Sequence, residues 1–210
     1  MSTQLRDRLE TGVTKLGLEL DSDRIDGLLA YIQLFDKWNK AYNLSAIRNI
    51  EDMISRHLLD SLAIMPFVEG QRLIDVGTGG GLPGIPMAIC HPERDVHLLD
   101  SNGKKTRFLF QVKTELKLDN VQVHNCRVES YQPQELFDGV MSRAFASLED
   151  MTQGCRHLLK ENGRFWAMKG IYPTDELKPL QKHYIVANSH ALMIPGEEGE
   201  RHLLEIHPLK

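Results

Sequence analysis

From Asp23 to about Asn39, Ile25, Leu28, Leu29, Ile32, Phe35 and Trp38 recur at helical spacing, and Asp21 or Ser22 offers a cap. A second stripe, Ile54, Leu58, Leu62 and Met65, predicts a helix over 51–65 that Pro66 ends. At Arg72 the period changes. Residues 73–76, 96–99, 121–123, 139–141 and 163–168 read as short buried strands, with helices over 104–116 and 148–159 among them. This alternation predicts a doubly wound, mostly parallel α/β sheet with helices on both faces. Residues 184–186 and 202–206 are expected to form an antiparallel pair at its edge, with the turn-rich segment 195–199 between them. The pattern divides the chain into an N-terminal helical extension, 1–66, and a sheet domain, 67–210.

A chain of 210 residues can bury a substantial core. No apolar run approaches the roughly 20 residues that a membrane helix needs, so no membrane association is expected. The first residues are polar and of mixed charge, and no signal peptide is expected. The three cysteines, Cys90, Cys126 and Cys155, are odd in number and widely spaced. That argues against a disulfide scaffold and against a metal site, and makes the cytoplasm the expected compartment. The formal net charge of −4 disfavours a dedicated nucleic-acid-binding module, because neutralising phosphates supplies most of such a module's affinity. An RNA substrate would have to be held by local patches or by its shape.

The first strand runs into Asp75-Val76-Gly77-Thr78-Gly79-Gly80-Gly81-Leu82-Pro83-Gly84. Glycines let a backbone approach a ligand closely, and the N-terminus of a following helix offers unpaired N–H groups. Pro83 and Pro86 suit the first turn of that helix. Residues 79–84 match G-x-G-x-x-G, and Asp100 follows about 20 residues on, as a dinucleotide site would also require. Asp75 decides between the ligands. A carboxylate two residues before Gly77 attracts the ammonium and sulfonium of S-adenosylmethionine and repels a pyrophosphate. Asp100 is then expected to accept hydrogen bonds from ribose hydroxyls. Arg127-Val128-Glu129, after the third strand, stands where this fold faces the adenine, a backbone N–H and a carboxylate being able to read the base's edge; an ordinary polar loop is an equal alternative.

Methyl transfer from a sulfonium is an in-line displacement in which the protein mainly aligns donor and acceptor. Cys126 and Cys155 lack the setting of a nucleophile for cytosine C5 and are not expected at the strand tips. After the fourth strand stands Ser142-Arg143-Ala144-Phe145-Ala146-Ser147 in place of the Asn/Asp-Pro-Pro-aromatic loop that serves exocyclic amines. Guanine N7 has a free lone pair and fits this lack of hardware; some small-molecule amines fit it too. Arg143 and Lys169, after the fourth and fifth strands, are the candidate catalytic residues. The arginine fork suits a guanine edge, a phosphate or a cofactor carboxylate, although a plain surface arginine is the alternative. Asn39, Lys40, Arg56 and Lys104 are candidate RNA contacts, because mixtures of basic, amide and aromatic groups suit RNA. Trp38 is expected in a helix core, and His57 as a histidine with satisfied hydrogen bonds.

These segments together resemble the ribosomal RNA small subunit methyltransferase G family, also called glucose-inhibited division protein B. The carriers are Lys37-Trp38-Asn39-Lys40-Ala41-Tyr42-Asn43-Leu44, Arg56-His57-Leu58-Leu59-Asp60-Ser61, the glycine segment from Asp75 to Pro86, Leu98-Leu99-Asp100-Ser101, Phe137-Asp138-Gly139-Val140, Ser142-Arg143-Ala144-Phe145-Ala146 and Met168-Lys169-Gly170. The resemblance spans nearly the whole chain. It implies a class I S-adenosylmethionine-dependent methyltransferase fold and transfer of a methyl group to N7 of one guanine in the 530 loop of bacterial 16S rRNA. S-adenosyl-L-methionine is then the cofactor, S-adenosyl-L-homocysteine its product, and 16S rRNA or the small ribosomal subunit the partner. Matching motifs make Gly77, Leu82, Val128, Glu129 and Arg143 cofactor contacts; Asp75, Gly79 and Asp100 join them on the arguments above. Gly80 stands where proline is expected in many relatives. A monomer is expected. Two alternatives stay open: the same fold acting on a small molecule or protein, and a nucleotide-binding regulator without catalysis.

Overall fold

The computed structural model describes residues 3–143 and 145–209. Its helices are α1 (Thr3–Lys15), α2 (Ser22–Tyr42), α3 (Ile50–Met53), α4 (Asp60–Leu62), α5 (Gly84–Cys90), α6 (Gly103–Glu115), α7 (Leu148–Cys155) and α8 (Thr174–Leu180). The strands are β1 (Arg72–Val76), β2 (Asp95–Leu99), β3 (Val121–His124), β4 (Phe137–Ser142), β5 (Leu159–Lys169), β6 (Tyr184–Ala191) and β7 (His202–Pro208). Ala144, within the motif after β4, lies outside the described residues.

The seven strands form one sheet in the order β3-β2-β1-β4-β5-β7-β6. Strands β1 to β5 are parallel, and β7 inserts antiparallel between β5 and β6. The expected antiparallel edge is therefore present. The strand order reverses at β1, where β2 and β4 flank it, and the crevice beyond the carboxyl ends of such strands is where open α/β sheets bind ligands.

Alternation along β1 sends Leu73 to one face and Ile74 to the other. Leu73, Val96 and Leu98 share a cluster with Leu9 of α1, Leu28, Leu29 and Ile32 of α2, and Leu58 and Leu62. The N-terminal helices thus cover one face of the sheet and share its core. Ile74, Val140 and Phe165 pack on the other face with Leu148, Met151 and Cys155 of α7.

Helix α2 begins where its cap predicts: the Asp21 side chain accepts from the Arg24 N–H at 2.9 Å. The helix expected over 51–65 is composite. Between α3 and α4 it widens to a π-helical turn over Ile54–Leu59, a departure that often marks functional positions. The helix expected over 148–159 ends sooner, and β5 begins at Leu159, whose partner in the ladder is Phe137. Trp38 is half-buried and stacks on Tyr42 with ring centroids 5.0 Å apart. Among the described residues no helix is long and apolar enough to cross a membrane.

Candidate active site

The tips of β1, β2 and β3 are tied together by backbone. Gly77 and Thr78 donate to the Leu99 carbonyl at 2.8 and 3.2 Å, and Asp100 donates to the His124 carbonyl at 3.2 Å. Gly77 and Gly79 take φ of +69° and +63°, the left-handed region that an L side chain resists, so the sharp turn after β1 requires glycine there. The loop is also braced from α2: the Tyr31 hydroxyl donates to the Gly80 carbonyl at 2.7 Å. A Cβ at Gly80 would lie 2.3 Å from Phe35 Cε2, so Gly80 goes together with the aromatic packing beneath it.

Asp75 is fully buried. Its Oδ2 accepts from Thr78 Oγ1 at 2.7 Å and from the Gly84 N–H at 2.9 Å, while its Oδ1 is buried without a hydrogen-bond partner. Burial raises its pKa to about 6, against the pull of these donors and of the Arg143 charge. Asp75, expected to attract the cationic groups of the ligand, is thus shut off from solvent. The carboxylate lies under the loop and holds it to the start of α5, and any attraction on a ligand cation acts from there. Asp100 also braces the loop, accepting from the Gly79 N–H at 2.9 Å and from the Asn102 N–H at 2.8 Å. A carboxylate has about four lone-pair positions, so it keeps capacity for hydroxyl donors.

A cavity of about 240 Å³ opens beside these tips, lined by Val76, Gly77, Ser101, Cys126, Arg127, Val128, Glu129 and Phe145. Gly77, Val128 and Glu129 are brought together as expected. Ser101 and Phe145 stood in quoted motifs without an assigned role, Arg127 was legible only as the neighbour of Val128, and Cys126 gave no signal. The cysteine stands at the mouth of β3, contrary to expectation, but burial raises its thiol pKa, which disfavours the nucleophilic thiolate. Leu82 is not on this cavity; it is buried in the core behind the loop, and its peptide bond to Pro83 is cis.

Across the β4 tip from Phe145 lies a larger cavity, about 820 Å³, lined among others by Arg56, His57, Asp60, Arg143, Glu197 and Arg201. Asp60 is buried and binds two arginines, Arg143 Nη1 through Oδ2 and Arg201 Nε through Oδ1, each at 3.1 Å. Arg56 pairs with Glu197 at 3.1 Å, and Ser55 donates to the same carboxylate at 2.9 Å. Burial, and next the Arg143 charge, lower the His57 pKa to about 4. Its ring nitrogens meet the Arg56 carbonyl and Ser45 Oγ at 3.1 and 3.0 Å, as befits a satisfied histidine.

Other expected positions lie apart. Lys169 Nζ contacts both oxygens of Glu176, at 3.1 and 2.9 Å, and the Ala146 carbonyl at 3.3 Å. Its ammonium is thus committed to Glu176 of α8 and to the segment after β4, although the side chain borders a 320 Å³ cavity shared with Arg143 and Arg201. Asn39 is corrected as an RNA contact: it is buried, and its amide donates to the Ile47 carbonyl and accepts from the Ser45 N–H, both at 2.7 Å. It pins the chain that follows α2. Lys40 is exposed and pairs with Asp36 on α2, and Lys104 is exposed on the first turn of α6. Sequence reasoning missed Asp60, Arg201 and Glu197 as site residues. Asp60 did stand in a quoted motif.

A sequence profile of rRNA small subunit methyltransferase G matches residues 24–204. The chain belongs to this family. The chain is 59% identical over 199 residues to ribosomal RNA small subunit methyltransferase G of Saccharophagus degradans, covering 95% of this chain and 89% of the relative. It is 57% identical to that of Pseudomonas syringae pv. syringae, covering 97% and 95%. Among solved structures, glycopeptide N-methyltransferase MtfA, in complex with S-adenosylmethionine, superposes with a TM-score of 0.63 at 9% identity, over 73% of this chain and 88% of that one. This likeness shows the class I methyltransferase fold.

Proposed function

We propose that this member of the methyltransferase G family transfers a methyl group from S-adenosylmethionine to N7 of one guanine in the 530 loop of 16S rRNA. The observation that carries the reading is the β4 tip, where Phe145 walls one cavity and Arg143 walls the other. The first cavity suits the cofactor. The unpaired buried oxygen of Asp75, the left-handed turn at Gly77 and Gly79 and the carboxylates of Asp100 and Glu129 fit a cationic, hydroxyl-rich nucleoside. Gly77, Val128 and Glu129 would hold the adenosine, Asp100 the ribose, and Arg143 the negative end of the methionine moiety. When bound, S-adenosylmethionine supplies an electrophilic methyl group on a sulfonium.

An N7 acceptor brings its own lone pair and gives up no proton, so no side chain must serve as a base. The acceptor side agrees with that demand. Its histidine is kept neutral by burial and its ring nitrogens are spent, while Lys169 is committed to Glu176. What the chain must supply is orientation, which is worth several kcal/mol of the barrier, roughly 7–11 in the best cases.

The partner is 16S rRNA or the small ribosomal subunit, the protein acts as a monomer, and its compartment is the cytoplasm. The test offers labelled cofactor separately to RNA, to protein and to small metabolites from cells lacking this chain. Label in RNA alone supports the reading. Label only in protein or metabolites would transfer the fold to another acceptor, and tight binding of NAD with none of S-adenosylhomocysteine would contradict the cofactor.

A further inference from the structure

Among the described residues, Asp60 is the one carboxylate shared by two arginines, and these flank strands that lie on either side of β5. Arg143 follows β4, and Arg201 immediately precedes β7. The Asp60 side chain is only 5% exposed, whereas both arginine side chains are 32% exposed. A buried anion thus fixes two half-exposed cations from beneath. One carboxylate balances only one guanidinium, and the trio carries a surplus positive charge.

The hydrogen bonds leave donors over. Arg143 spends Nη1 on Asp60 and the Arg56 carbonyl, and Arg201 spends Nε on Asp60 and Nη1 on the Glu200 carbonyl. Among the described residues, Nη2 of each arginine makes no hydrogen bond, and both side chains border the same 820 Å³ cavity. Of the other carboxylates that line the same cavity, Glu197 is held by Arg56 and Ser55, while Glu198, exposed on the arm between β6 and β7, makes no hydrogen bond or ion pair with either arginine. With Arg143 given to the cofactor's carboxylate, it is the fork of Arg201, with its fixed plane and spare N–H group, that matches the oxygens of a phosphodiester. The adenosine cavity is lined by neither Asp60 nor Arg201, which separates this pair from the nucleoside part of the cofactor.

We infer that Arg201 binds a backbone phosphate of the acceptor RNA and that Asp60 is a positioning residue, setting Arg201 beside Arg143. The inference rests on the rRNA reading above and adds to it the acceptor-side contact. By holding the strand at a fixed distance from the β4 tip, Arg201 places the target base against the methyl donor, while Asp60 keeps either arginine from turning away.

The test compares the wild type, Arg201→Ala, Arg201→Lys and Asp60→Asn on unmethylated small subunits. It reads kcat and KM for the subunit, the salt dependence of RNA binding, and the affinity for S-adenosylhomocysteine. Arg201→Ala is expected to raise the KM at least tenfold and reduce the salt slope by about one, leaving S-adenosylhomocysteine affinity within twofold. Arg201→Lys restores the salt slope but not the full KM, because a lysine keeps the charge and loses the fork. Asp60→Asn is expected to lower kcat about tenfold without weakening RNA binding, since it removes an anion and frees both arginines. An Arg201→Ala protein with the wild-type KM and salt slope would overturn the phosphate contact, and a lower KM effect with an unchanged slope would move the contact to a base oxygen, which also overturns it. Asp60→Asn with wild-type kcat would overturn the positioning role. If the wild type itself binds S-adenosylhomocysteine but methylates no RNA, the rRNA reading fails, and this inference with it.

Discussion

The Tyr31 hydroxyl of α2 donates to the carbonyl of Gly80, 49 residues along the chain, at 2.7 Å and out of reach of solvent. Through this bond the N-terminal helices brace the loop on which the cofactor reading depends. Tyr31 also packs edge-on against Phe35, which fills the space a side chain at position 80 would need. Replacing Tyr31 by Phe leaves a buried carbonyl unpaired, which costs about 1–3 kcal/mol. Thermal denaturation is expected to show that loss, and titration with S-adenosylhomocysteine a several-fold weaker affinity. Full stability with full affinity would show that α2 plays no part in holding the loop.

Asp75→Asn separates bracing from charge. The amide oxygen can still accept from Thr78 and Gly84, so the fold is expected to survive. Affinity for the cationic S-adenosylmethionine should fall more than affinity for the uncharged sulfur of S-adenosylhomocysteine. The pH dependence gives a second readout. The folded carboxyl titrates near pH 6, above its ordinary 3.8, so folding takes up a proton between those values and the wild type gains stability from this group as pH falls. The melting-temperature difference, variant minus wild type, is expected to be larger at pH 8 than at pH 4.5. An equal difference at both would mean that Asp75 is not a buried charge.

His57 acts with the opposite sign. Its folded pKa, about 4, lies below the ordinary 6.5, so the unfolded chain binds the proton first. The stability it contributes is present above pH 6.5 and is lost as pH falls toward 4, to a limit of roughly 3 kcal/mol. His124, lowered to about 4 by burial and then by His97, acts in the same window but is only half-buried and better screened. His57→Gln is expected to flatten the stability profile between pH 6.5 and 4. A profile as steep as the wild type's would place the titration elsewhere.

For Lys169, the ion pair with Glu176 sets the expectation. Glu176 also accepts from the Leu148 N–H at 2.6 Å, so the pair ties β5 to the start of α7. Lys169→Met and Glu176→Gln should therefore destabilise the protein alike, each by about 1–3 kcal/mol, and the double variant should cost little more than either. Loss of turnover in Lys169→Met with normal stability, and normal turnover in Glu176→Gln, would instead make the lysine a group that meets the substrate.

The sequence made the sheet legible because β1, β2 and β4 are short apolar runs ending at chemically marked tips, Asp75, Asp100 and Arg143. Gly77, Val128 and Glu129 lay next to those tips and converge as expected. Residues 159–162 did not read as strand, since Lys160, Glu161 and Asn162 are exposed and β5 extends over them only through pairing beside Phe137. The stripe from Ile54 to Met65 showed a helix but not its π-helical turn, which shifts phase without changing composition. Asn39 looked like an RNA group because it sits among Lys37, Trp38 and Lys40. Its real partners, Ser45 and Ile47, lie in a loop whose path no periodicity records. Arg201 was silent for the same reason: it gains its meaning from Asp60, 141 residues earlier in the chain.

The most direct test of the central claim is transfer of labelled methyl from S-adenosylmethionine to small subunits and to purified 16S rRNA, both from cells lacking this protein, followed by cleavage at 7-methylguanosine. Label is expected at a single guanine in the 530 loop. Label at another atom or another base, or none in either form of RNA while S-adenosylhomocysteine still binds, would contradict the claim.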